Sequence, residues 1–186
     1  GFANGAGFAD TAGVTSEREN LRIAGLAVSV FALDQLTKWL ILVFMNYHEQ
    51  VVVVEGFFKL VLWGNTGAAY SMFHGNNTKL AIVALAALVV LFFIRRHFDV
   101  HTVPGQIALG LIFGGILGNL VDRIFRHEVI DFLHFRLWRG HSWPDFNVAD
   151  SAIVVGVGLL VLDMLASEGE RRASASDGES SSQSSR

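Results

Sequence analysis

Leu80-Ala-Ile-Val-Ala-Leu-Ala-Ala-Leu-Val-Val-Leu-Phe-Phe-Ile94 is an uncharged run bounded by Lys79 on one side and Arg95-Arg96 on the other. Cations at both ends of an apolar run mark where side chains leave hydrocarbon for the headgroups. Lipid as the solvent also fits the composition, in which 52% of residues are hydrophobic and only 17% charged, an apolar bias unusual for a soluble domain. Crossing a hydrocarbon core of about 30 Å takes roughly 20 apolar helical residues. Stretches near 22–45, 79–97, 104–124 and 149–166 meet that need. The expected fold is therefore membrane α-helical, with about four transmembrane helices.

Working outward, the third span starts just after Pro104 and carries Gly110, Gly114 and Gly118 at four-residue spacing, a small-residue stripe that lets a second helix approach closely. Val51-Val-Val-Val54 and Phe57-Phe-Lys-Leu-Val-Leu-Trp63 are β-branched and aromatic, separated by Glu55-Gly56. They read as short strands of a small sheet at the membrane surface. Residues 125–148 alternate aromatic, His and Arg side chains, with Trp138 and Trp143 among them, as an amphipathic interfacial segment would. Residues 1–20 are Gly- and Ala-rich, and 167–186 are rich in Ser, Glu and Arg. Both are expected to be disordered extensions, leaving a four-helix domain over 21–166. No cleavable targeting peptide is evident, because the first span is long and carries Asp34 and Lys38.

The chain has no cysteine, which removes disulfides, thiolate nucleophiles and Cys-ligated metals. Its net charge of −3 argues against nucleic acid as a partner. Four spans place both termini on one side, but the basic residues do not say which. Arg18, Arg22, Arg95, Arg96, Arg171 and Arg172 stand against Lys59, Lys79, Arg123, Arg126, Arg136 and Arg139. Cytoplasmic termini are the expectation adopted.

Charged groups inside a bilayer cost several kcal/mol by most estimates, so acids in spans are partnered or functional. Asp34 and Lys38 are four residues apart, the spacing of an ion pair on one helix face. Asp122 and Arg123 close the third span, and Asp131 and Asp150 flank the interfacial stretch. Taken alone, Asp150 in Asn147-Val-Ala-Asp-Ser151 reads as a helix N-cap, and Asp163 as a residue near a helix end. Two carboxylates held close beside water nevertheless make a general acid and a general base in one unit, since repulsion keeps one protonated while its partner activates water. Rival chemistries fit less well. Ser71 and His74 lack a Gly-x-Ser-x-Gly elbow, and His127-Glu128 is not followed by the second His of a metalloprotease motif. His127, Asp131 and His134 on one helical face would be a low-specificity zinc arrangement. A proton-linked transporter would spread its acids through the membrane depth, whereas these acids gather towards one face.

Asp34-Gln-Leu-Thr-Lys38, Asn65-Thr-Gly-Ala-Ala69, Gly118-Asn-Leu-Val-Asp-Arg123, Val129-Ile-Asp-Phe132 and Phe146-Asn-Val-Ala-Asp-Ser151, in this order, resemble the lipoprotein signal peptidase (signal peptidase II) family over residues 25–165. The resemblance implies an aspartic endopeptidase that removes the signal peptide from prolipoproteins, cutting before the diacylglyceryl-modified cysteine. It further implies Asp131 and Asp150 as the catalytic pair. Asn65, Asn119, Arg123 and Asn147 would contact substrate or support the site, and Asp122, Asp34 and Lys38 would support it. No cofactor or metal is expected. The implied setting is the bacterial inner membrane, multi-pass, with the sheet and the active site at the outer, extracytoplasmic face. Membrane lipid and a cyclic peptide inhibitor such as globomycin are further expected partners.

Overall fold

The computed structural model describes residues 6–67, 75–95, 102–137 and 140–183, with backbone only for 6–16, 94 and 171–183. Ala68, Ala69, Ser71, His74, Arg96, Trp138 and Arg139 lie outside the described residues, as do the extreme ends of the two terminal extensions. The element order is α1 (Ala6–Phe44), β1 (Gln50–Val54), β2 (Phe58–Asn65), α2 (Asn77–Ile94), α3 (Val103–Phe125), β3 (Val129–Phe135) and α4 (Val148–Gln183).

Among the described residues, three helical stretches are long and apolar enough to cross a membrane: Glu17–Phe44, Val103–Phe125 and Val148–Glu170. The shorter fourth is α2, whose 18 residues span about 27 Å at the usual helical rise. Helix α3 is the hub. It packs on α1, on α4 and, less extensively, on α2, and its residues 105–122 supply much of the buried interior.

The glycine stripe explains how α3 can serve three neighbours. Gly110 lies against Leu26, Gly114 against the Ala27 carbonyl and Val30, and Gly118 against the Asp34 carboxylate, all on α1. Gly115 faces the Ala149 carbonyl of α4 instead. A Cβ at position 114 would sit 2.6 Å from that Ala27 carbonyl oxygen, and backbone cannot swing aside as a side-chain tip can. Gly114→Val should therefore lower stability by about 1–3 kcal/mol, as overpacking does. Thermal unfolding in detergent checks this, and an unchanged midpoint would mean that α1 and α3 do not meet there.

The strands form one antiparallel sheet in the order β1-β2-β3. Leu62 and Ile130 pack beneath it on Met45, flanked by Ile41 and Leu42 at the end of α1. The third strand lies within the 125–148 segment. Val129–Phe135 pairs with β2 from Phe58↔Phe135 to Asn65↔Val129, because alternation of Ile130, Phe132 and neighbouring polar residues suits a pleat with a partner. In a strand, Asp131 and His134 point to opposite faces, which ends the shared helical face required for the zinc arrangement.

Helix α1 reaches back to Ala6 and α4 on to Gln183. Once a helix is nucleated by its packed span, each added residue gains one hydrogen bond, and Ala, Glu and Arg accept that state readily.

Candidate active site

The chain returns from the sheet to α4 along a surface built by aromatics. Phe146 pairs with Leu133 as an isolated bridge, donating to the Leu133 carbonyl at 3.2 Å and accepting from Leu133 N at 2.9 Å. Its ring stacks on Phe135, which stacks in turn on Phe58. This anchor brings Asn147, the residue before α4, beside Asp131 of β3.

Asn147, not Asp150, caps α4. Its Oδ1 accepts from Asp150 N at 2.9 Å while Asp150 Oδ2 accepts from Asn147 N at 3.3 Å, the reciprocal pattern of a capping box. Asp150 is thus the third helical residue, where the helix dipole favours negative charge. Its other oxygen, Oδ1, accepts from Asn119 Nδ2 at 2.7 Å. Asp131 is buried, and its two oxygens accept from Asn147 Nδ2 at 2.8 Å and Asn65 Nδ2 at 2.9 Å. A final bond, Asn147 Nδ2 to Asn119 Oδ1 at 3.2 Å, closes the set. Two carboxylates from different elements are thereby joined through the side chains of Asn119 and Asn147.

Arg123 lies one helical turn from Asn119. It donates to the Asn119 carbonyl at 3.3 Å and to the Gly67 carbonyl at 3.2 Å, tying α3 to the segment after β2. Its Nε is buried without a partner among the described residues. Asn65, Asn119, Arg123, Asp131 and Asp150 line an open cavity of about 460 Å³ together with Trp143, Pro144, Phe146, Ile153, Val154 and Val155. Its surface is mostly apolar, with polar groups from Asp131, Asp150, Asn65, Asn119 and Arg123 and also from Asp145 and Ser151.

Asp34, Lys38 and Asp122 lie beside this cavity and form a second cluster. Lys38 Nζ is fully buried and reaches Asp34 Oδ2 at 2.8 Å, Asp122 Oδ2 at 2.7 Å and Asn119 Oδ1 at 3.0 Å. Gln35 donates to Asp34 and Asp122, and Arg126 pairs with Asp122 and with Gln35 Oε1. Two acids and two bases thus balance. Sequence reasoning gave Gln35 and Arg126 no role, although Arg126 stands four residues after Asp122, the spacing of a helical ion pair. Asp163 accepts from Thr102, the N-cap of α3, at 2.7 Å, about 20 Å along α4 from Asp150 at the usual helical rise.

Burial pushes the Asp131 carboxyl up to about 7, with the Asp150 charge adding to it and the Asn65 and Asn147 amides opposing. An unfolded aspartate ionises near 4, at about 3.9. Between these values the folded chain keeps a proton that the unfolded chain has released, so stability falls as pH rises through that window. The expected result is a thermal midpoint that declines from pH 5 to pH 8, with a shallower decline in Asp131→Asn. Equal slopes in the two proteins would show that Asp131 does not hold the extra proton.

Residues 26–166 match the family model described as Signal peptidase (SPase) II. The chain is 42% identical over 141 residues to the lipoprotein signal peptidase of Symbiobacterium thermophilum, covering 75% of this chain and 91% of the relative. It is 34% identical over 148 residues to that of Bacillus subtilis, covering 79% and 95%. Its fold is similar to a bacterial membrane enzyme solved by the in meso method at 2.3 Å resolution, with a TM-score of 0.71, 32% identity and coverage of 78% of this chain and 88% of that one.

Proposed function

The chain belongs to the signal peptidase II family of aspartic membrane proteases, and from that premise we propose that it removes the signal peptide of prolipoproteins, with Asp131 and Asp150 activating the water. The observation that carries this reading is the pair of carboxylates joined through Asn119 and Asn147 in the lining of a mostly apolar cavity. The bond cut is the one before the diacylglyceryl-modified cysteine. An apolar cavity with a few convergent polar groups is what a lipid-bearing peptide requires.

The ionised member of the pair takes a proton from water as its oxygen attacks the scissile carbonyl carbon. The protonated member gives its proton to the departing amine when the tetrahedral intermediate collapses. The proton belongs to the pair rather than to one residue. Arg123 lines the cavity and its guanidinium suits a substrate carbonyl, and the Asn65 and Asn147 amides keep the Asp131 oxygens directed. Asp34, Lys38 and Asp122 support the site from behind Asn119.

The peptidase unit is 21–166, and the sheet with its neighbouring cavity faces the outside of the bacterial inner membrane, both termini being cytoplasmic. A cyclic peptide such as globomycin would occupy the same cavity. The test is to incubate a diacylglyceryl-modified prolipoprotein with the protein in detergent and locate the cut by mass spectrometry. A mature product beginning at the lipidated cysteine, formed equally with and without chelator, is expected. Cleavage elsewhere, or cleavage that stops with chelator, would overturn the reading.

A further inference from the structure

Helices α1 and α2 both pack on α3 but hardly touch one another. The gap between them is a groove of about 640 Å³ with Phe113 and Leu117 of α3 in its lining. Its walls are Ile23, Ala24, Ala27 and Val28 of α1 and Leu88, Val89, Phe92 and Phe93 of α2. Among the described residues, the polar groups of its lining are Asn20 of α1 and Arg95 after α2, at one end. From Asn20 to Val28 the helical rise is about 12 Å, so the groove runs from the edge of the spans into their apolar depth.

This end is opposite the carboxylate pair. Asn77, at the other end of α2, donates to the Arg123 carbonyl at 2.8 Å, and the far end of α1 leads into Met45 beneath the sheet. The groove therefore opens to the leaflet away from the site, out of reach of a substrate whose acyl chains lie at the cavity.

We infer that this groove is a binding site for an anionic glycerophospholipid of the opposite leaflet, one acyl chain lying between α1 and α2 and the headgroup phosphate on Arg95. Charge complementarity selects the occupant. The Arg95 guanidinium lies 4.0 Å from the centroid of the Phe92 ring, so the cation is held at the mouth by the wall of the groove. Among the described residues no carboxylate forms an ion pair with it. A planar guanidinium with several N–H donors matches phosphate oxygens, and Asn20 adds an amide donor across the gap. The apolar walls are open, with Val28 63% and Phe93 70% exposed, and an acyl chain matches them in polarity. The inference does not depend on the peptidase reading.

Native mass spectrometry of the full chain in detergent, titrated with phosphatidylglycerol or with phosphatidylcholine of the same chains, tests it. A single retained phosphatidylglycerol is expected, favoured over phosphatidylcholine by roughly fivefold, the value of one basic residue near the surface. Arg95→Gln should erase that preference, while Arg22→Gln, a basic residue of the same end that does not line the groove, should keep it. Leu88→Trp, which fills the groove and leaves the charge, should lose both lipids, and Ala27→Phe serves if Leu88→Trp does not unfold cooperatively. Equal retention of the two lipids, equal losses in Arg95→Gln and Arg22→Gln, binding of glycerol phosphate without acyl chains, or a lipid-free dimer would each overturn the site.

Discussion

Asp150→Asn should reduce prolipoprotein cleavage by at least about 10³-fold, within the range that general acid–base groups contribute, and leave the protein folded. The separation of the two effects follows from the local geometry. Asp150 Oδ2 accepts from Asn147 N while Asp150 N donates to Asn147 Oδ1. An Asn side chain can still accept the first bond and its backbone makes the second, so the start of α4 survives. What an amide cannot do is exchange a proton with water or with the leaving amine. Asp131→Asn should lose as much, and the double variant should be no slower than either single one, because residues acting as a unit are not additive. Cleavage rates at saturating substrate, read beside thermal unfolding, separate the cases. A single variant that keeps a tenth of the parent rate while folded would remove that residue from the pair.

The same two carboxylates show how far a sequence can be read. Hydropathy locates the spans because lipid imposes a length that little else imitates, and the Asp34–Lys38 spacing announced an ion pair that the structure shows at 2.8 Å. The glycine stripe of α3 was legible for a related reason, since four-residue spacing is a property of one helix face. Partners distant in sequence were not legible from pattern alone. Nothing local in Val129–Phe135 says that it pairs with β2, because a strand's partner is set by the register of another segment. Asp150 illustrates the same limit. Read alone it is a cap, whereas the structure gives the cap to Asn147 and leaves the second Asp150 oxygen to Asn119. The ordered motifs supplied the pairing that local chemistry could not, and they did so without Gln35 or Arg126 being assigned a function.

The largest stability effect should come from Lys38→Met, which is expected to cost about 3–5 kcal/mol, the penalty for breaking a buried ion pair from one side. Lys38 and both of its acids are fully buried. Asp122 would retain Arg126 and Gln35, whereas Asp34 would keep only the Ala149 amide at 2.9 Å and Gln35 at 3.2 Å. The uncompensated charge therefore falls mainly on Asp34. Asp34→Asn in the same chain restores neutrality and should recover at least half of the lost stability, with Asn Oδ1 still able to accept from Ala149. Recovery of the fold should not recover the rate. An ammonium group only donates, so Lys38 holds Asn119 Oδ1 towards itself at 3.0 Å and leaves Asn119 Nδ2 directed at Asp150. Without Lys38 that oxygen keeps the longer bond from Asn147 Nδ2 at 3.2 Å, so the amide is held less firmly and its bond to Asp150 weakens. The double variant should thus unfold near the parent midpoint yet cleave at least about tenfold more slowly, one lost bond of about 1.5 kcal/mol to a charged group being enough. Parent-like cleavage by a stably folded double variant would confine Lys38 to holding the helices together.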